Sequence, residues 1–142
     1  MRVSVVIPAY DNATGLGECL RALVPGGAHE IIVVDDASTD DTGAVASRFG
    51  VQVLRLERNS GAGAARNHGA KHATGDVVLF VDSDVVAAPD TVARVTRVFE
   101  ERPDVAAVTG PAARSRQAQS MDSIVDLAQL VRDLAVACSA PV

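Results

Sequence analysis

Val77-Val78-Leu79-Phe80-Val81-Asp82-Ser83-Asp84 runs five apolar residues straight into two carboxylates one residue apart. An unbroken apolar run suits a strand buried on both faces, as in a parallel sheet, with the carboxylates where it leaves the core. Side chains alternate along a strand, so positions 82 and 84 point the same way if the chain stays extended through them. Two adjacent carboxylates repel, and they remain ionised together most readily when a cation shares them. Hard oxygen ligands favour Mg²⁺ or Mn²⁺ and leave coordination positions open for phosphate oxygens. The plainer alternative is a solvated acidic turn.

Outward from that strand, the chain alternates strand and helix patterns. Val3 to Ile7 is an apolar run closed by Pro8, and Ile31 to Val34 is a second one ended by Asp35-Asp36. Between them Leu16, Leu20 and Leu23 mark a helix face that Pro25-Gly26-Gly27 terminates. Ser38, Thr39 and Asp40 are candidate N-caps for a short helix carrying Val45 and Phe49, with Gly50 as its stop. Val51 to Leu56 alternates apolar and polar residues, as a half-exposed edge strand does. A Gly/Ala-rich helix spans about Ala62 to Ala73. Pro89 is expected to open a further helix with Val92, Val95 and Phe99 inward, followed by a fifth strand from Val105 to Thr109. Gly110 to Gln119 reads as a polar loop, and Ile124 to Cys138 as an amphipathic helix whose other face is acidic.

This β-α-β-α-β order implies a mostly parallel sheet with helices on both faces, whose ligands bind beyond the carboxyl ends of the strands. Polar and acidic residues do gather at those ends: Tyr10-Asp11-Asn12, Asp35-Asp36 and Asp82-Ser83-Asp84. One domain is expected from 142 residues, with a core from 3 to 110 and the segment 111 to 142 as its continuation. An aromatic share of 3% leaves the core to Val, Leu, Ile and Ala. A net charge of −5 argues against nucleic acid as a partner. Cys19 and Cys138 read as reduced core cysteines, and the cytoplasm is the expected compartment. The inner face of a membrane would be reached only through further segments or partners.

Four blocks, in order, carry a resemblance. They are Val3 to Tyr10, Val33 to Thr42, Arg58 to Gly61 with Ala65-Arg66-Asn67-His68-Gly69, and Gly75 to Asp84. Together they resemble the family 2 glycosyltransferases over roughly residues 3 to 110. The resemblance implies a GT-A fold, a nucleotide-diphospho-sugar donor such as a UDP-sugar, a divalent cation (Mn²⁺ or Mg²⁺) held by the Asp-x-Asp motif, and inverting transfer to an acceptor hydroxyl. Carried onto this sequence, it puts Pro8, Ala9 and Tyr10 along the nucleoside pocket and Asp36 at the base N–H. It puts Arg66 near the nucleotide, Asp84 on the metal, and Asp82 on the ribose or the metal. Asp35 would point away from Asp36 and serve the structure.

The acceptor-binding half and its catalytic carboxylate normally follow the matched region. Asp122, Asp126 and Asp133 do not resemble that motif, so no catalytic base is assigned and the acceptor stays open. The alternative function is a non-catalytic nucleotide-sugar-binding or interaction module, with self-association through the Ile124 to Cys138 stripe. Three further motifs have plain readings. Gly61-x-Gly63 lacks the third small residue of a dinucleotide fingerprint, because Arg66 stands there. His68 and His72 read as solvated helix histidines, and Arg114 and Arg116 as a solvated loop.

Overall fold

The computed structural model describes residues 1–109. Strands and helices alternate as β1 (Val3–Ala9), α1 (Ala13–Leu23), a 3-10 turn (Val24–Gly26), β2 (Glu30–Asp35), α2 (Thr42–Arg48), β3 (Gln52–Arg55), α3 (Ala62–His72), β4 (Val77–Phe80) and α4 (Thr91–Glu101). The strands form one parallel sheet in the order β3-β2-β1-β4. The chain therefore steps outward from β1 to β3, then returns to the other side of β1. That reversal opens a crevice between the carboxyl ends of β1 and β4, where open α/β sheets take their ligands.

Two-residue alternation divides the sheet into two packed layers. Val3, Val5, Ile7, Ala9 and Val33 face α1 and α2, joining Leu16, Cys19, Leu20, Leu23 and Ala46, with Val92 of α4 on the same side. Val6, Ile32 and Val34 face α3, where they meet Ala65. Full burial of each Val or Ile contributes about 1.5–3 kcal/mol. The α3 layer is thin because Gly69 lies on the sheet. A Cβ there would fall 2.4 Å from Val6 Cγ1 and 3.0 Å from Val34 Cγ2.

Strand β1 continues through Pro8 to Ala9 instead of closing at Ile7. Pro8 is tolerated because of which neighbour it faces. Val81 N–H donates to Val6 O at 3.1 Å and Asp36 N–H donates to Ala9 O at 2.9 Å. Val6 thus directs its backbone polar groups toward β4, and Ala9 directs them toward β2. Pro8, two residues after Val6, faces the β4 side, where pairing has already stopped at Val6↔Phe80. The missing N–H forfeits no ladder bond.

The expected elements shift in four further places. Residues 105 to 109 form no strand: Val105 N–H closes a turn onto Arg102 O at 3.0 Å, and Ala106 to Thr109 are exposed. Two alanines bring too little apolar area to hold that run against the sheet. Helix α4 starts at Thr91, leaving Pro89 outside its first turn, with Asp90 at the N-cap. Helix α2 starts at Thr42, and Asp41 occupies its N-cap without a side-chain bond. The loop Asp40 instead accepts Thr42 N–H at 2.9 Å. The fourth shift is the aspartate turn after β4, described with the site. The expected loop from Gly110, with Arg114 and Arg116, and the expected helix with Asp122, Asp126, Asp133 and Cys138 lie outside the described residues.

The amino-terminal edge of the sheet is clipped shut by one carboxylate. Glu30 Oε1 accepts from Ser4 Oγ at 2.6 Å, Thr74 N–H at 2.6 Å and Thr74 Oγ1 at 2.8 Å. Those bonds, the Ser4 hydroxyl first, hold its carboxyl down at about 2. Beside it Asp76 accepts from Arg2 N–H at 2.8 Å and from Arg2 Nη2 at 3.1 Å.

Candidate functional site

At the opposite edge, β2 delivers two neighbouring aspartates to opposite faces. Asp35 points under α2, fully buried, and binds Arg55 Nη1 at 2.5 Å and Ser38 N–H at 2.9 Å. Arg55 is its cross-strand partner on β3, and its Nη2 also donates to Ser38 O at 2.8 Å. Asp36, 3% exposed, points the other way. Its two oxygens accept Ser60 N–H and Gly61 N–H, each at 2.8 Å. A carboxylate at the start of a helix answers the free N–H groups and positive end of the macrodipole there. Each oxygen keeps a second lone pair for a ligand.

The loop after β1 is pinned from several sides. Tyr10 stands at the strand end, 48% exposed. Asp11 adopts φ 44°, and its Oδ1 accepts Thr39 N–H at 2.6 Å. Asp40 accepts Ala13 N–H at 3.2 Å, and its carboxyl is held below the usual range, first by the Thr42 hydroxyl. Asn12 caps α1 through Oδ1 and reaches Ser83 Oγ with Nδ2 at 3.0 Å.

The aspartate pair does not sit on an extended chain. Val85 N–H donates to Asp82 O at 3.0 Å, so Asp82 to Val85 is a turn with Ser83 and Asp84 at its centre. Asp and Ser favour turns because their short side chains bond locally, and that preference wins once β4 leaves the sheet. Alternation therefore does not align the two carboxylates. Both nevertheless act on one group. The buried Cys19 thiol, pointing to Asp82 O at 3.7 Å, is pushed up to about 12, chiefly by burial and then by Asp84 and Asp82. Arg66 from α3, 16% exposed, donates Nη2 to Asp82 Oδ1 at 2.5 Å. No ion pair among the described residues uses Asp84.

Among the described residues, no three His, Cys, Asp or Glu side chains converge to enclose a metal. The turn after β4 instead carries Asp84 and the second oxygen of Asp82, a sparse set of hard oxygen donors. Such a set suits a cation completing its shell with water and phosphate. Pro8 and Ala9 lie within β1, buried, directly before Tyr10. The sequence reading placed Asn12 and Ser83 at this edge without giving them a role, and it missed Arg55 and the Ser60-Gly61 amides. Arg55 and Asn12 act through partners set by strand register and strand order, for which the sequence has no local signal.

Fold and site together define a doubly wound α/β domain of GT-A type, with an acidic edge at the reversal of strand order. The chain belongs to glycosyl transferase family 2, whose description matches residues 4–124. It is 34% identical over 115 residues to undecaprenyl-phosphate 4-deoxy-4-formamido-L-arabinose transferase of Sodalis glossinidius, covering 73% of this chain and 35% of that protein. Dolichol-phosphate mannosyltransferase of Pyrococcus furiosus is 33% identical, with 75% and 32% covered. In structure the chain is similar to Staphylococcus aureus TarS 1-349, with a TM-score of 0.67 at 33% identity, covering 72% of this chain and 33% of that one. Glucosyl-3-phosphoglycerate synthase from Mycobacterium tuberculosis, in complex with Mn²⁺, UDP and glucosyl-3-phosphoglycerate, gives 0.59 at 29% identity, covering 69% and 39%. The chain thus spans about a third of the length of these two curated relatives. No helix among the described residues is long and apolar enough to cross a membrane.

Proposed function

We propose that this chain supplies the donor half of a sugar transferase, binding a nucleotide-diphospho-sugar, with UDP as the nucleotide, together with Mn²⁺ or Mg²⁺. The observation that carries the reading is where the strand order reverses: Tyr10, Asp36, Arg66, Asp82 and Asp84 all belong to the edge beside that crevice. Tyr10 would cover the base over the floor of Pro8 and Ala9. The free lone pairs of Asp36 would accept a uracil N–H. Asp84 would ligate the cation directly, with Asp82 meeting the cation or the ribose.

In the reaction, the bond from the anomeric carbon to the diphosphate oxygen breaks as an acceptor hydroxyl attacks the opposite face, and the sugar inverts. The hydroxyl proton passes to a carboxylate base that we assign to no residue of this chain. A bound divalent cation offsets the negative charge that develops on the leaving diphosphate. Arg66 adds a guanidinium at the same place if its bond to Asp82 exchanges for phosphate.

The test is calorimetric titration of UDP with and without Mn²⁺. We expect tighter binding with Mn²⁺, and we expect Asp84→Ala to lose the gain. Equal affinity in both conditions would remove the cation from the reading.

A further inference from the structure

Asn12 and Ser83 lie 71 positions apart in the chain and meet across the mouth of the crevice. The partners fix which way the amide faces. Gly15 N–H can only donate, so Oδ1 faces it at 3.3 Å and Nδ2 faces Ser83 Oγ at 3.0 Å. The amide is firmly seated: a Cβ on Gly15 would fall 2.5 Å from Nδ2 and 2.6 Å from Oδ1. Asn12 N–H is itself anchored on Thr42 Oγ1 at 2.9 Å. Ser83 separates the two carboxylates within the turn that Val85 N–H closes on Asp82 O.

Capping α1 needs only the oxygen of Asn12, and serine or threonine would serve it as well. The donor Nδ2 is surplus to the cap, and its partner is the residue between the aspartates. We infer that Asn12, acting through Ser83, is a positioning residue for the Asp82/Asp84 pair. It ties the first loop to the aspartate turn, so that both carboxylates are already oriented when cation and nucleoside diphosphate arrive. This rests on the cation-nucleotide reading above. Groups that orient ligating carboxylates typically change metal affinity by about 10–100-fold when removed.

The measurement is the ratio of UDP Kd without Mn²⁺ to Kd with Mn²⁺ on the full chain, alongside its thermal midpoint. Asn12→Ser keeps a cap but cannot reach Ser83, and Ser83→Ala removes the acceptor and leaves the cap intact. Each should cut the Mn²⁺ gain by about tenfold. The double variant should lose no more than either single one, and Ser83→Thr should restore the gain. An undiminished Mn²⁺ gain in both single variants would overturn the positioning role alone. Equal losses with and without Mn²⁺ would make Asn12 merely structural and overturn it too. A wild-type chain with no Mn²⁺ gain would remove the cation reading and this role together.

Discussion

Both edges of the sheet are acidic, and they use their carboxylates in opposite ways. At the amino-terminal edge Glu30 accepts three hydrogen bonds and Asp76 accepts two from Arg2. At the carboxyl edge Asp35 is consumed in the same manner, Asp36 keeps spare lone pairs, Asp82 commits one oxygen to Arg66, and Asp84 has no ion pair among the described residues. A collection of acidic residues at one edge is therefore weak evidence of a site, since structural carboxylates collect at both. The distinguishing property is acceptor capacity left over after folding.

If that distinction holds, stability effects along the carboxyl edge should fall in order as spare capacity rises. Arg55→Ala should be the largest. It strands the Asp35 carboxylate, 1% exposed, with only Ser38 N–H as partner. Leaving that buried charge uncompensated costs about 3–5 kcal/mol, readable as a lower urea midpoint. Asp35→Ala should cost less, because the Arg55 left behind is 57% exposed and rehydrates. The reverse order would break the comparison.

Next comes Asp36→Ala, which frees the Ser60 and Gly61 amides at the start of α3. We expect about 1–3 kcal/mol off the unfolding free energy, and UDP weakened by about 1.5–3 kcal/mol for a hydrogen bond to a charged group. Lost stability with unchanged UDP affinity would move Asp36 into the class of Asp35.

Glu30 should show itself through acid. Its carboxyl lies at about 2 in the folded chain against an ordinary 4.5, so the unfolded chain binds the proton more tightly. The clip's contribution is complete above the ordinary value and is lost as pH falls from 4.5 toward 2. Thermal midpoints across that window should fall more steeply for the wild type than for Glu30→Gln. Parallel slopes would mean that the clip contributes nothing.

The smallest effect should be Asp84→Ala, with a thermal midpoint unchanged or slightly raised, because removing one of two neighbouring negative charges relieves repulsion. A clear loss of stability would show that Asp84 is spent structurally after all.

Much of this was legible in the sequence where the signal is local. The apolar runs at Val3, Ile31 and Val77 place three strands, and alternation alone separates the roles of Asp35 and Asp36. Strand order was not legible, because nothing near Val77 says that it pairs with Val3 and not with Val51. Without the order neither the crevice nor the Asn12–Ser83 contact can be located. The turn at Asp82 was named only as the plainer alternative: Asp-Ser-Asp is turn chemistry as much as strand end, and the pull of alternation put it second. Residues 105 to 109 mislead in the other direction, because apolar character there comes with too little side chain to anchor a strand.

The proline in β1 bears on how the chain survives its own synthesis. β1 is central and is made before both of its neighbours: Val5 pairs with Ile31 and with Leu79. Until then Val3-Ser4-Val5-Val6-Ile7 is a bare β-prone window, able to anneal with the same window of another nascent chain. Pro8 follows immediately, with no N–H to continue such a ladder. The native sheet loses nothing by it, because β4 has already turned away. A foreign strand zipping along the β4 side of β1 would meet a missing donor at that step, so Pro8 is placed to stop such a ladder on that side at no expense to the folded state.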